Sequence, residues 1–386
     1  MGLYVLVRGR HLAPAATIEA VPAVERPTMP KEDLQKLQGI FSVDSFYATN
    51  ISNYQDGAMV KGNLRSDPQS AYAHIQTNLR QLFTKPYQLF LVKGLDQRPL
   101  VVILPERPVR VPPLWQKGLA LVLLVVSVFT VAHLSEQLHL GWWLSLGLVS
   151  ILAGRELALR WMAHRYGVKM SLPFALPSWQ LGGFGSLSRF LSPLSDRKML
   201  FDLAIAPAVM GGSLSLAFVT VGLCLSRFSD TLPTIEIPSQ LFCTSALTGL
   251  LAKLVLGDKL HIDFVNVHPL VLVGWLGLVI TSLNLLPAGQ LDGGRLIQAM
   301  YGKRTANWTT VFTLLGLGTA AVIYPIALYW GMIILLLARD TDTLLYNELT
   351  ETDSDRDAWG MVILFLMALT LLPITRGVAE FWQIGN

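Results

Sequence analysis

Cysteine is nearly missing from this 386-residue chain. Cys224 and Cys243 are the only two, and neither has a Cys or His neighbour at metal-ligand spacing. A disulfide-rich scaffold and a cysteine-based zinc module are therefore excluded, and the two thiols read as apolar side chains packed in membrane helices. Charge is scarce as well. Asp, Glu, Lys and Arg make up 15% of the residues, and 30 basic against 26 acidic groups leave a formal balance of +4. So small an excess, scattered over loops beside apolar runs, does not suit nucleic-acid binding. The opening MGLYVLVRGRHLAPAA lacks a basic leader followed by a long apolar core, so no secretory signal is expected. Leu6 stands where a myristoylation motif takes Ser or Thr, which argues against lipidation.

Apolar side chains are what the chain has in abundance, at 52%. That is too apolar for an ordinary soluble chain of this length, and membrane insertion follows as the first expectation. The distribution is uneven. Residues 1–28, rich in Ala, Pro and Arg without a sustained period, read as a flexible lead-in. Residues 29–112 read as a soluble α+β head. A helix is expected after Pro30 from Leu34, Leu37 and Phe41, and strands near Ser45–Ser52 and Ala58–Leu64 follow. Gly62 and Asn63 permit a turn, and Asp67 with Pro68 makes an N-cap and first-turn pair for a helix carrying Ala71, Ile75, Leu79 and Leu82 on one face. Strands Tyr87–Val92 and Leu100–Leu104 complete an α-β-β-α-β-β order, tied to the membrane by the link Pro105–Pro113.

Residues 113–386 form the membrane domain. Apolar segments fall near 116–135, 143–162, 200–225, 240–256, 268–287, 308–324, 325–339 and 358–374, some of them shorter than the roughly 20 residues a spanning helix needs. The segment 240–256 carries Lys253 and reads as re-entrant or interfacial, and Tyr324–Pro325 separates two helices or kinks one. The fold class expected is an α-helical multi-pass membrane protein with six to eight membrane segments and a small N-terminal α+β domain. Arg107, Arg110 and Lys117 flank the first span, and Arg165, Lys169, Arg189, Arg197 and Lys198 crowd the 163–199 loop. By the positive-inside rule the head and that loop share the cytoplasmic side or its organellar equivalent. Pro173, Pro177, Gly182, Gly183 and Gly185 make the loop a membrane-apposed hairpin or short strands. Trp142–Trp143 and Tyr324–Trp330 read as interfacial aromatic belts.

An ionisable side chain inside a membrane costs about 2.5–3.5 kcal/mol on insertion scales, so it marks a site by default. Glu156 lies near the centre of the second apolar segment, and Asp292 closes the run WLGLVITSLNLLPAGQLDGGRL. Asn284, Pro287, Gly289, Gly293 and Gly294 break helical continuity there and expose backbone groups around Asp292.

These residues resemble those of the site-2 protease family of intramembrane zinc metalloproteases, in its cyanobacterial and plastid branch. That branch carries a Gly-Asn-Leu-Arg element, present here as Gly62, Asn63, Leu64 and Arg65. The family's Asn-x-x-Pro-x-x-x-x-Asp-Gly signature is matched by Asn284, Pro287, Asp292 and Gly293. The resemblance runs from about Glu32 through LLYNELTETDSDRDAWG. It implies a cyanobacterial plasma or thylakoid membrane, or a plastid membrane.

The remaining family signature is His-Glu-x-x-His, in which two His on one helix face ligate Zn²⁺ and the Glu handles the proton of the metal-bound water. A distant Asp supplies the third ligand. RELAL stands where that signature belongs: Arg155 replaces the first His, Glu156 remains, and Leu159 replaces the second. Only Asp292 is left of the ligand positions, so no catalytic residue and no zinc are expected to function, unlike in active relatives. Arg155 is expected to neutralise Asp292 through a bidentate ion pair that replaces the metal as a bolt between membrane segments; the competing expectation is that Arg155 snorkels or pairs elsewhere and Asp292 is protonated. His133, His139, His164, His261 and His268 match no helix-face pair and read as interfacial or loop residues. The expected role is an inactive homologue that binds transmembrane segments or regulates active relatives. An active zinc endopeptidase with unconventional ligands and a membrane transporter are the alternatives.

Overall fold

The computed structural model describes residues 29–83, 86–94, 96–106, 113–138, 141–228, 234–322, 326–338, 344–382 and 384. The lead-in 1–28, most of the link Pro105–Pro113, His139 and the Tyr324–Pro325 break lie outside the described residues. The chain divides into two compact units.

The first unit comprises Met1–Arg110, Ser192–Leu200 and Leu336–Thr352. Its elements run α1 (Lys31–Gln38), β1 (Phe46–Tyr54), β2 (Gly57–Leu64), α2 (Pro68–Leu82), β3 (Tyr87–Lys93) and β4 (Pro99–Pro105), the order read from the sequence. Two short strands from further along the chain, β7 (Leu194–Asp196) and β10 (Leu345–Asn347), extend the sheet to six strands in the order β1-β2-β4-β3-β10-β7. The first four strands pair antiparallel, whereas β10 runs parallel to β3 and β7. Asn347 holds β10 in place: its side-chain amide donates to the Pro68 carbonyl at 3.0 Å, and its oxygen accepts from the backbone N–H groups of Leu349 and Thr350.

Helix α2 starts where the sequence places it, with the Asp67 carboxylate accepting from the N–H groups of Gln69 and Ser70 at 3.0 and 3.2 Å. Ala71, Ile75 and Leu79 are buried, and each of the two larger side chains gains about 1.5–3 kcal/mol by leaving water. Leu82, expected on the same face, is 45% exposed because it sits in the last turn. Phe41 lies beyond the end of α1 and packs partly buried against the core of this unit.

Gly62 and Asn63 correct the expectation of a turn: both lie within strand β2, paired with Ala48 and Tyr47. A Cβ on Gly62 would fall 2.4 Å from the Tyr47 carbonyl oxygen and 2.5 Å from the Phe46 ring. Glycine is required there by the ring laid over the strand, not by a reversal of chain direction. Arg65 follows at the strand end, its N–H donating to the Ser45 carbonyl and its guanidinium lying 5.4 Å from the Tyr47 ring centre.

The second unit comprises Val111–Leu191, Phe201–Leu335 and Asp353–Asn386. Among the described residues three helices are long and apolar enough to cross a membrane: α3 (Leu114–Gln137), α4 (Trp142–Arg165) and α5, whose apolar part is Arg197–Arg227. At 1.5 Å per residue the 24 residues of α3 reach about 36 Å, more than the ~30 Å hydrocarbon core. The loop after α4 folds as a hairpin of β5 (Phe174–Ser178) and β6 (Gly182–Leu187). A second small hairpin, β8 (Ile235–Pro238) with β9 (Phe264–Val267), brackets the 11-residue helix α6 (Ala246–Leu256). That helix is about half a membrane long.

Helix α7 (Pro269–Asn284) is short, apolar and buried along most of its length. Cβ atoms on its Gly274 and Gly277 would meet Ser215 of α5 at 2.6 and 2.4 Å, so the two helices pack backbone to backbone. Helices α8 (Asp292–Tyr301), α9 (Lys303–Ala320), α10 (Ile326–Ala338), α11 (Ser354–Leu371) and α12 (Arg376–Trp382) complete the described chain. Arg356 at the start of α11 forks onto Asp202 of α5 at 2.9 and 3.0 Å, and Tyr166 at the end of α4 donates to the same carboxylate at 2.5 Å.

Two expectations change. Cys243 sits in a 3-10 turn, Ser239–Thr244, and Cys224 is exposed on α5, so the thiols are not both packed inside helices. Trp330 does not face outward as a belt residue would: it is buried edge-on against Phe184, 3.7 Å between ring centres. His268 lies in the loop ahead of α7, as expected, where it is buried and caps that helix, its Nδ1 accepting from the N–H of Leu270.

Candidate functional site

Helix α4 buries Leu144, Leu148, Ile151, Arg155, Leu159 and Ala163, a stripe at three- and four-residue spacing. Arg155 and Leu159 therefore lie on the one face that packs against protein. Burial of an arginine in such a stripe requires a partner, and the partner is Asp292: Nη2 of Arg155 donates to its Oδ2 at 2.8 Å, with 7% and 14% of the two side chains exposed. The guanidinium does not snorkel. The contact is one hydrogen bond rather than the bidentate fork expected, since Nη1 of Arg155 is buried without a partner.

Two glycines make this pair possible. A Cβ on Gly211 of α5 would lie 2.7 and 2.8 Å from Cγ and Cδ of Arg155, so the arginine stem passes through space that any other residue would fill. A Cβ on Gly293 would fall 1.8 Å from the Leu285 carbonyl oxygen, so only glycine lets α8 begin so close to the end of α7. The broken stretch between Asn284 and Asp292 is thus folded back on itself, and it delivers Asp292 to Arg155 across 137 positions of sequence.

Glu156, one position on, turns to a different set of groups. Its carboxylate accepts from Ser186 Oγ at 2.5 Å and from Ser188 Oγ at 3.0 Å, and pairs with Arg160 Nε at 2.6 Å. Asn284 donates its amide to the Phe184 carbonyl of β6 and to the Ile280 carbonyl, both at 2.8 Å. Arg295, one turn into α8, is buried: Nη2 donates to the Ser188 carbonyl at 3.2 Å and the guanidinium lies 4.7 Å from the Phe190 ring centre. Arg155, Glu156, Leu159, Asn284, Asp292 and Gly293 therefore come together in the second unit. The backbone of Pro287 lies in the same broken stretch, where its carbonyl accepts from Thr313. Gly62, Asn63, Leu64 and Arg65 belong to the first unit, at the end of β2 between β1 and β4, with Gly62 buried and Asn63 and Arg65 exposed.

Sequence reasoning missed Ser186, Ser188, Gly211 and Arg295. Two serines at i and i+2 in an expected strand share one face, and Arg295 stands three after Asp292 on one helix face; these spacings were available signals. Nothing local marks Gly211.

The donor set does not suit zinc. A catalytic zinc takes about three protein ligands and leaves a water position. Among the described residues no three His, Cys, Asp or Glu side chains come together where an ion could be held. The one carboxylate at a ligand position is already bonded to a guanidinium, and Arg295 adds a second positive charge within Coulombic range of it. A cation entering there would meet repulsion before it met ligands.

Comparison with known proteins agrees with this architecture. The Peptidase family M50 profile matches residues 142–323, and the EGY3 middle domain profile matches residues 35–112. The chain belongs to the M50, or site-2 protease, family and is a multi-pass membrane protein homologous to the plant EGY proteins. It is 32% identical over 365 residues to "Probable zinc metalloprotease EGY2, chloroplastic" of Arabidopsis thaliana, covering 89% of this chain and 65% of the relative. To "Probable zinc metalloprotease EGY1, chloroplastic" of the same plant it is 32% identical, over 90% of this chain and 72% of the relative. To "Probable zinc metallopeptidase EGY3, chloroplastic" it is 29% identical, over 89% and 66%. The chain thus spans about two thirds of the length of such relatives. No solved structure matches.

Proposed function

We propose that this chain is a catalytically inactive member of its family, a pseudoprotease that binds transmembrane segments of other proteins or modulates active relatives in the same plastid or cyanobacterial membrane. The observation that carries the reading is the 2.8 Å bond from Arg155 to Asp292. A guanidinium in place of a metal ion keeps α4 and α8 joined but offers no Lewis acid and no water of lowered pKa, and Glu156 alone cannot make a competent nucleophile from bulk water. Recognition of an unwound membrane segment needs donors, acceptors and apolar walls, which do not depend on a metal. The site holds these in Asn284, Arg295 and the aromatic residues Phe184 and Trp330. The chloroplastic relatives support a plastid setting. The six to eight membrane segments read from the apolar runs would include, beside the three longer helices, α7, α9 and α11, which at 16, 18 and 18 residues reach about 24–27 Å.

The test is metal content and proteolysis of the purified chain in nanodiscs beside Arg155→His/Leu159→His. The natural sequence is expected to bring down no stoichiometric zinc and to leave a membrane substrate intact; the double variant is expected to take up about one zinc. Near-stoichiometric zinc in the natural chain that disappears with Asp292→Ala would overturn the reading and establish an enzyme with unconventional ligands.

A further inference from the structure

Helices α4 and α7 lie side by side and run in the same direction. A Cβ on Gly147 of α4 would fall 2.5 Å from Val273 of α7, and four residues further along each helix a Cβ on Gly277 would fall 2.5 Å from Ile151. Arg155 and Thr281 meet one step beyond, 2.7 and 2.9 Å from a Cβ placed on Gly211. The other end of this seam is closed by Trp143 and His268, whose rings stand edge to face with centres 5.3 Å apart. The 24 residues of α4 place that end on the opposite side of the membrane from the basic 163–199 loop. His268 is 3% exposed and ties the first turn of α7 to its neighbours. Its backbone N–H donates to Ser226 Oγ of α5 at 2.8 Å, and its Nδ1 accepts from the Leu270 N–H at 3.2 Å. An imidazole accepts at Nδ1 only while it is neutral; a second proton turns that nitrogen into a donor facing a donor. The imidazolium would also stand at a helix N-terminus, where the macrodipole disfavours positive charge. The charged groups on the packed elements do not offset it. Helix α4 has no ionisable residue from Trp142 to Gly154, and α7 has none. On α5, Arg227 is turned to the Val255 carbonyl, while Glu236 of β8 and Glu380 of α12 are exposed. Burial holds the His268 imidazole below the ordinary histidine value.

We propose that His268 is an acid-sensitive cap: a proton taken up from the side of the membrane opposite the basic loop removes the acceptor for Leu270, frees the first turn of α7 from Trp143 and Ser226, and opens the α4–α7 seam at its outer end. The device follows from the cap geometry and does not depend on the binding role proposed above. The seam it closes is the one that ends at Arg155, so the cap is the outer stop of the helix pair that carries the candidate site. A base whose value is lowered on folding contributes stability that is complete above about pH 6.5 and is lost as the pH falls below it. With protonation barred in the closed turn, each pH unit below that point multiplies the opening equilibrium about tenfold.

Hydrogen exchange of the full chain in nanodiscs tests this from about pH 7.5 down to about pH 5.5, one unit to either side of the ordinary histidine value, with rates corrected for the intrinsic pH dependence of amide exchange. In the natural sequence, protection over residues 268–274 is expected to fall about tenfold across that range, with β1 and β2 unchanged. His268→Asn keeps a side-chain acceptor at the cap and takes up no proton there, so its protection is expected to stay flat. His268→Thr, a second neutral capping residue, is expected to match it and serves if the Asn variant does not fold. His261→Asn, which changes the histidine that precedes β9, is expected to respond to acid as the natural sequence does. Flat protection in the natural sequence overturns the proposal, whatever the variants do. An acid response that survives in His268→Asn or His268→Thr, or that vanishes in His261→Asn, overturns the assignment to His268.

Discussion

Removing the Arg155 side chain is the most direct probe of what holds the membrane unit together. Arg155→Met keeps the apolar stem in the channel beside Gly211 and deletes only the charge and its hydrogen bond to Asp292. Breaking a buried pair by removing one partner costs about 3–5 kcal/mol, mostly the cost of stranding the remaining charge. Here the lower end applies, about 3 kcal/mol, because Arg295 stays within Coulombic range of Asp292. At roughly 2–4 °C per kcal/mol for a unit of this size, that lowers the melting temperature by about 6–12 °C. Replacing both partners, Arg155→Met with Asp292→Asn, removes the stranded charge and is expected to recover most of the loss. The cycle is completed by Asp292→Asn alone, which leaves two buried guanidiniums facing a neutral amide. Thermal unfolding of each protein in nanodiscs, followed by size-exclusion chromatography of heated samples, gives the coupling. A coupling near zero, with the double variant losing the sum of the single losses, would refute the bolt. The exchanged pair Arg155→Asp/Asp292→Arg is a poorer test than it looks, since an arginine at 292 would stand one turn from Arg295 on α8.

Two further predictions concern the first unit. Gly62→Val would drive a side chain into the Tyr47 carbonyl and the Phe46 ring, at a cost of roughly 1–3 kcal/mol from overpacking; limited proteolysis is expected to clip β1 and β2 while the membrane unit survives, and an unchanged digestion pattern would contradict the close approach. Burial raises the Tyr72 phenol above its ordinary range, with the neighbouring Tyr346 adding to the shift. A raised folded-state value means stability is fully present below about pH 10 and lost as pH rises beyond it; Tyr72→Phe is expected to flatten that alkaline decline in a denaturation series, and an identical decline in both proteins would rule Tyr72 out as its source.

The parts of the site that could be read from sequence are those carried by short spacings. Arg155, Glu156 and Leu159 stand out because charges on an apolar helix are costly, and Asn284, Pro287, Asp292 and Gly293 because Pro and Gly interrupt a long apolar run. The form of their contacts was less legible. A bidentate fork was expected where one hydrogen bond exists, since the angle at which α4 meets α8 is set by packing around Gly211 and Gly293. The Gly-Asn pair at 62 and 63 suggested a turn because glycine favours turns, yet its reason is a phenyl ring sixteen residues away that needs the space. The i, i+2 spacing of Ser186 and Ser188 puts them on one strand face, but nothing in the sequence places Glu156 opposite that face.

The sequence by itself determined the division into a strand-containing head and an apolar body, the order α-β-β-α-β-β, and the N-cap at Asp67, because these depend on periodicity and on capping within a few residues. It also determined which motif positions hold ligand-type side chains and which do not. Only the tertiary structure decided that β7 and β10 complete the head's sheet, that Arg155 bonds Asp292, and that Glu156 meets Ser186 of β6. Each of these joins residues between thirty and nearly three hundred positions apart. Whether such groups meet is fixed by how closely helices and strands can approach, and that depends on side-chain volume at positions such as Gly211, which no local pattern marks.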